Sequence, residues 1–274
     1  MKTAYLTDLD GTLLRPDGTL SPFTAQTISN LCRSGMVFSV ATARSVNDAA
    51  EILHGLTVSA PITTMNGTFF IEGRTGRILH YHVIPREVLS FLLDTLCQSG
   101  CYPNVYSLED GELAVEYSKK NTTEAQIRYV KRCAGQYRSF EAVKTYRTDR
   151  ETCFVSSVSS EENVKKAAAL LAACPALSAT VYRDTYYPDS WYIEVSGREV
   201  GKANAVAWLR EWSGCDRVVV FGDNHNALPM FRAADEAIAV DNACDEVKAA
   251  ATRVIASNEE DGVAKYLAEV FKMP

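Results

Sequence analysis

The chain has 274 residues, 47% of them hydrophobic and 23% charged, with a formal net charge of −6. That balance fits a folded globular protein with a large core and excludes a disordered chain. The acidic excess, with no concentrated Lys/Arg run, argues against a nucleic-acid or anionic-membrane surface and favours small-molecule chemistry.

In chain order, residues 3–9 read as a strand, and residues 21–32 as a helix with Ser21 as N-cap and Pro22 at its first position. Gly35 ends the helix, "MVFSVAT" is the next strand, residues 46–56 read as helix, and "APITTMNG" carries a third strand into a turn. The order is βαβαβ, the unit of a parallel sheet. From about residue 83 the character changes to tyrosine-rich and polar, with Pro85 and Pro188 at the edges of the segment. Strands are expected there at 102–107, 113–117, 153–158 and 177–182, and helices at 86–98, 123–134 and 161–173. The α/β pattern then returns: "GKANAVAWLREW" as helix, "RVVVFGD" as a buried strand, "NALPMFRAA" as helix, "EAIAV" as a short strand, and 260–271 as a last helix. The expected organisation is a discontinuous parallel-sheet core, residues 1–82 and 190–274, with an α+β domain inserted at 83–189.

No run approaches the about 18 apolar residues of a membrane span. The first residues read as strand rather than as a basic, apolar leader, so the cytoplasm is the expected compartment. The eight cysteines form no C-x-x-C pair and share no zinc-site spacing with the four histidines, which predicts reduced structural thiols.

The chemistry concentrates in "YLTDLDGTLL", where Asp8 and Asp10 end the first strand and Gly11 breaks it. Strand alternation points two acids at i and i+2 to one side, where they repel. At the carboxyl end of a central parallel strand, the place where open α/β sheets bind ligands, Mg²⁺ offsets that repulsion through oxygen ligands. "SVATARS" ends the second strand at Thr42, which by itself reads as a helix N-cap and also offers a hydroxyl and amides to a phosphoryl oxygen. Lys202 opens a helix, a place that favours anions, so it implies an anionic partner unless it is an exposed surface lysine. "VVVFGDNHNALPMF" ends a long apolar strand at Gly222 and Asp223, followed by Asn226. It places an acid at a third strand end, or else a turn with Asx chemistry.

Together these stretches resemble the haloacid-dehalogenase-like phosphohydrolases, in particular the Cof-type subgroup with a large α/β cap inserted after the third core strand. Asp8-Leu9-Asp10-Gly11-Thr12 matches the first motif, Thr42 the second, Lys202 the third, and Gly222-Asp223 with Asn226 the fourth. "TMNGTFF" resembles the family's Asn-Gly turn near the substrate phosphate. The resemblance implies a Rossmann-like core and hydrolysis of small phosphate monoesters, such as sugar phosphates or phosphorylated cofactors. It implies Asp8 as nucleophile forming an aspartyl-phosphate, Asp10 as general acid and then base, and Thr42 and Lys202 as further catalytic groups. It places Mg²⁺ on Asp8, Asp10 and Asp223, and the substrate on Gly11, Thr12, Thr42, Ala43, Arg44, Asn66, Gly67, Lys202 and Asn226. A small phosphorylated metabolite is the expected partner of a monomer or homodimer, and the cap is expected to select the ester group. Tyr182, Tyr186, Tyr187 and Trp191 are cap aromatics that either pack or touch substrate.

The implied charges are consistent. Three aspartates and a phosphate monoester dianion total about −5, and Mg²⁺ with Lys202 returns about +3. Crowding among the acids is expected to raise the proton affinity of Asp10. One position departs from the pattern, because Ala227 stands where the fourth motif usually has a second acid. That departure keeps a catalytically weak phospholigand-binding or regulatory protein as the alternative. A receiver-like phosphoacceptor, a single small domain, leaves the inserted segment without a use.

Overall fold

The computed structural model describes residues 2–120, 123–133, 137, 139–184, 187 and 189–271. The chain forms two compact units, Met1–His80 with Gly201–Pro274, and Tyr81–Val200. In chain order the first unit opens with β1 (Thr3–Asp8), α1 (Pro22–Arg33), β2 (Val37–Ala41), α2 (Val46–Ile52), β3 (Ile62–Thr64), β4 (Phe69–Ile71) and β5 (Ile78–Tyr81). The second unit holds α3 (Arg86–Gln98), β6 (Asn104–Glu109), β7 (Glu112–Ser118), α4 (Glu124–Cys133), β8 (Ser139–Val143), β9 (Glu151–Ser159), α5 (Glu161–Leu171), β10 (Leu177–Arg183) and β11 (Trp191–Gly197). The first unit resumes with α6 (Lys202–Ser213), β12 (Arg217–Gly222), α7 (Leu228–Ala233), β13 (Glu236–Val240), α8 (Asp245–Ala250), β14 (Arg253–Ile255) and α9 (Gly262–Val270).

Among the described residues the first unit's sheet runs β14-β13-β12-β1-β2-β3-β4-β5. It is parallel from β14 to β3 and turns antiparallel at β4. β1 is central: Leu6 pairs with Val220 on one side and Ser39 on the other, and Ala4 to Asp8 are all buried. Its unbroken burial from Ala4 on is what a parallel strand covered on both faces shows. The chain steps from β1 through β2 to β3 in one direction and from β12 through β13 to β14 in the other. The carboxyl ends of β1 and its neighbours therefore flank a topological switch point, where such sheets bind ligands.

Local signals explain several boundaries. The Thr24 amide donates to the Ser21 hydroxyl at 3.0 Å, and Pro22 is the first helical residue of α1. α2 stops at Ile52 rather than 56, because the chain turns through Gly55 at φ +94°. Two strands, β4 and β5, extend the sheet before the insertion begins.

The second unit's sheet, again among the described residues, runs β10-β11-β9-β6-β7-β8. Its pairs are antiparallel except β7 with β8. Leu89, Leu92 and Leu96 of α3 and Val164, Ala167 and Leu171 of α5 pack with Val105, Val155, Ile193 and Val195 of the sheet into one buried cluster. The leucines follow the i, i+3, i+4 spacing of an amphipathic helix. β11 lies between β10 and β9, so the return to the core comes at Gly201, eleven residues later than the sequence placed it at 190. Trp191 packs against this cluster, whereas Tyr182 and Tyr187 are exposed. Tyr186 and Pro188 lie outside the described residues.

Candidate active site

β1 ends at Asp8, and the chain then makes a wide turn over Leu9–Leu13, closed by the Leu14 amide donating to the Leu9 carbonyl at 2.9 Å. The alternation expected of Asp8 and Asp10 therefore stops short of Asp10, and the two carboxylates separate. That of Asp8 is buried: Oδ1 accepts from the Leu9 amide at 2.7 Å, and Oδ2 accepts from Lys202 Nζ at 2.5 Å. The side chains of this pair are only 4% and 3% exposed, so a buried charge meets a buried counter-charge. The Asp10 carboxylate is half exposed and is gripped by the Arg44 guanidinium, Nε to Oδ2 at 2.9 Å and Nη2 to Oδ1 at 2.6 Å.

Asp223 follows β12 and stands against Gly11. A Cβ on Gly11 would lie 2.2 Å from Asp223 Oδ2, so the first motif's glycine, at φ +73°, makes room for the acid. The Thr12 hydroxyl donates to Asp223 Oδ1 at 2.8 Å. Burial, and after it the charge of Asp8, push the Asp223 carboxyl up to about 6. Asp223 is thus the acid whose proton affinity the crowding raises, and Asp10 takes a guanidinium as its charge partner.

Thr42 differs from expectation in one respect. Its amide is already used, donating to the Thr63 carbonyl at 2.9 Å, and its hydroxyl accepts from the Arg44 amide at 3.1 Å, leaving the O–H hydrogen to donate. Ala43 is exposed in the same loop. Met65, Asn66 and Gly67 turn through three consecutive positive φ values, +47°, +55° and +107°. The amides of Met65 and Asn66 pin this turn to the carbonyls of Arg44 and Thr42 at 2.9 and 3.0 Å. A Cβ on Gly67 would lie 2.7 Å from the Gly201 carbonyl oxygen, so the turn also packs against the residue before Lys202. Trp208, further along α6, packs its ring at a tilt on Phe70, centroids 4.3 Å apart, and docks the helix on β4. Asn226 is exposed in the turn after Asp223, and Ala227 in the same turn is fully buried beside Gly222.

One side chain escaped the sequence reading, and one has a contact that it did not foresee. The Asn242 amide group donates to the Gly11 carbonyl at 2.7 Å and its oxygen accepts from the Asn258 amide at 3.0 Å, bracing the first motif from the loop after β13. Thr12, expected at the substrate, turns its hydroxyl to Asp223 as a hydrogen-bond donor. A signal for Asn242 existed, a polar pair directly after the short strand "EAIAV", but nothing in it pointed to Gly11.

Residues 5–267 match the family described as haloacid dehalogenase-like hydrolase. The chain is 26% identical over 277 residues to the 5-amino-6-(5-phospho-D-ribitylamino)uracil phosphatase of Bacillus subtilis, covering 97% of this chain and 96% of that one. It is 24% identical to the pyridoxal phosphate phosphatase of Escherichia coli, with 95% of each covered. A crystal structure from Thermotoga maritima superposes with a TM-score of 0.77 over 100% of this chain and 99% of that one, at 23% identity, and so shares the fold. A structure described as a subclass IIB sugar phosphatase superposes at 0.70, with 21% identity and 98% of each chain covered.

Proposed function

The chain belongs to the haloacid dehalogenase-like hydrolases, and from that premise we propose that it hydrolyses small phosphate monoesters through an aspartyl-phosphate on Asp8. The observation that carries the reading is the buried Asp8 carboxylate at the end of the central strand, held by Lys202 at 2.5 Å with Asp223 as its acidic neighbour. A nucleophile fixed at both oxygens is oriented before substrate arrives. Asp8 attacks phosphorus, the bond to the ester oxygen breaks, and Asp10 gives the departing alkoxide its proton. Asp10 then takes a proton from the water that cleaves the aspartyl-phosphate. For either step Asp10 exchanges the Arg44 guanidinium for the reacting oxygen. Lys202, amides of the first motif and the Thr42 hydroxyl balance charge on the phosphoryl oxygens, so most of the catalysis is positioning and electrostatics.

The donor set suits Mg²⁺. Asp8 and Asp223 are hard oxygen donors pressed together, with Asp8 helping to hold Asp223 at about 6, and Lys202 answers only one of the two charges. Asp8 and Asp223 would hold the ion through their side chains, and the Asp10 carboxylate, engaged with Arg44, would join only on leaving it. Bound there, Mg²⁺ supplies positive charge opposite the phosphoryl oxygens. The substrate is a small phosphorylated metabolite, the class that the names of the Bacillus subtilis and Escherichia coli relatives describe.

The test is hydrolysis of an aryl phosphate and of a panel of sugar and cofactor phosphates with and without Mg²⁺. Mg²⁺-dependent turnover is expected, abolished in Asp8→Asn and lowered in kcat/KM by about 10² in Lys202→Ala, the scale of one lost preorganised donor. Ala227, which supplies no oxygen, favours one second reading, a phospholigand-binding protein of the same fold. Tight binding of phosphate esters without turnover at any Mg²⁺ concentration would replace the enzyme reading with that one.

A further inference from the structure

We propose that His225, Cys244 and Glu246 form a site for a thiophilic divalent cation of the Zn²⁺ class, separate from the oxygen donors Asp8 and Asp223. His225 stands in the turn after β12, Cys244 precedes the first residue of α8, and Glu246 lies in that helix's first turn. Nineteen and two residues apart in sequence, they have no zinc-motif spacing, and only the pairing of β12 with β13 brings them together. His225 Nε2 and Cys244 Sγ are 3.9 Å apart, and the three donor atoms all lie within 4.8 Å of one another. Donors about 2.0–2.3 Å from a tetrahedral Zn²⁺ are separated from each other by about 3.5 Å. Two of the three side chains are exposed and Cys244 is half-buried, so closing the remaining gap takes only side-chain rotation. Among the described residues this is the one grouping of three such donors.

Chemistry separates it from the catalytic acids. A thiolate and an imidazole select Zn²⁺ over Mg²⁺, whereas paired carboxylates suit the hard cation. As the sulfur–metal bond forms, the thiol proton passes to solvent. Three protein ligands leave a fourth position for water. The frame is partly built already, since the Cys244 amide donates to the Asp223 carbonyl at 3.0 Å and the Asn224 side chain accepts from the His225 amide at 2.8 Å. A bound cation ties the turn after β12 to the start of α8, the two segments that meet at the backbone of Asp223.

The experiment uses tag-free full-length protein in excess Mg²⁺, which occupies hard oxygen sites. Zn²⁺ is titrated by calorimetry and Co²⁺ by absorbance, and Zn²⁺ protection of Cys244 from a thiol reagent is read by peptide mapping. Expected are one equivalent of Zn²⁺, a thiolate-to-Co²⁺ charge-transfer band that disappears in Cys244→Ser, and weakening by more than about tenfold in His225→Ala. The wild-type protection measurement stands whether or not the variants fold. Absence of the band in the wild type, its survival in Cys244→Ser, no protection of Cys244, or Zn²⁺ binding that Mg²⁺ displaces would each overturn the site.

Discussion

Asp223 is held in a protonation state that is costly without a cation. Burial and the neighbouring Asp8 charge raise its carboxyl from 3.8 to about 6. Between those values the folded protein keeps a proton that the unfolded chain releases, so on this group's account stability is full at the acid end and falls as pH rises through about 6. Asp223→Asn keeps an oxygen for the Thr12 hydroxyl and removes the charge. In metal-free buffer at pH 7.5 it is expected to raise Tm by about 2–4 °C, the shift that ~1 kcal/mol gives at this chain length, with solvent screening of a half-buried group holding the effect to that size. The same variant should flatten the decline between pH 4 and 6 and lose most of the Tm gain expected of the wild type in Mg²⁺. Thermal unfolding in EDTA and in Mg²⁺ across that range measures all three effects. A less stable variant at pH 7.5 in EDTA would mean that the carboxylate is net favourable even without metal. Ala227 should sharpen the dependence: it is fully buried against Gly222 and offers no second acid in that turn to share the proposed cation.

At the scale of elements, the sequence revealed the long pieces and the acid at the end of β1, because strand period, caps and terminators act over a few neighbouring residues. Ser21, Pro22 and Gly35 bounded α1 and its exit, and the run before Asp8 made β1 a buried parallel strand. Less legible were the strands of three to five residues, β4, β5, β8 and β14, whose pairing depends on distant partners. β11 was placed on the wrong side of the domain boundary because its pairing with β9 and β10, rather than its composition, decides where it belongs. Side-chain direction past a strand end was equally hidden, so Asp10 turned to Arg44. The contact of Gly67 with Gly201 is of this long-range kind and carries a test. An alanine at 67 would set its Cβ 2.7 Å from the Gly201 carbonyl oxygen and displace the start of α6, moving Lys202 off Asp8. Gly67→Ala is expected to lower kcat/KM by about 10², the cost of roughly 1 Å of misplacement. Gly76→Ala is the control, since Gly76 shares a positive φ of +69° but meets only the Ala50 side chain, at 3.7 Å. Equal losses in both variants would assign the effect to backbone strain alone.

For the molecule as a whole, the two units differ in how the chain builds them. Asp8 and Asp10 come from before the inserted segment and Lys202 and Asp223 from after it, so the proposed catalytic set is complete only once β12 has paired with β1. The unit Tyr81–Val200, by contrast, is continuous and contains its own buried cluster and its own sheet. Both ends of that unit are secured within it: the Ile84 amide donates to the Thr152 carbonyl at 2.7 Å, and β11 is hydrogen-bonded on both sides. At about 120 residues it is the size of an ordinary independent domain. Expressed alone, Tyr81–Val200 is expected to unfold cooperatively at about 45–65 °C, the range of mesophilic domains, and to hydrolyse no phosphate ester. Calorimetry and far-ultraviolet circular dichroism of the fragment, with the aryl phosphate assay beside them, make the test. A fragment without a cooperative transition would show that its sheet needs the discontinuous unit to fold. A fragment that turns over substrate would move the chemistry away from Asp8 altogether.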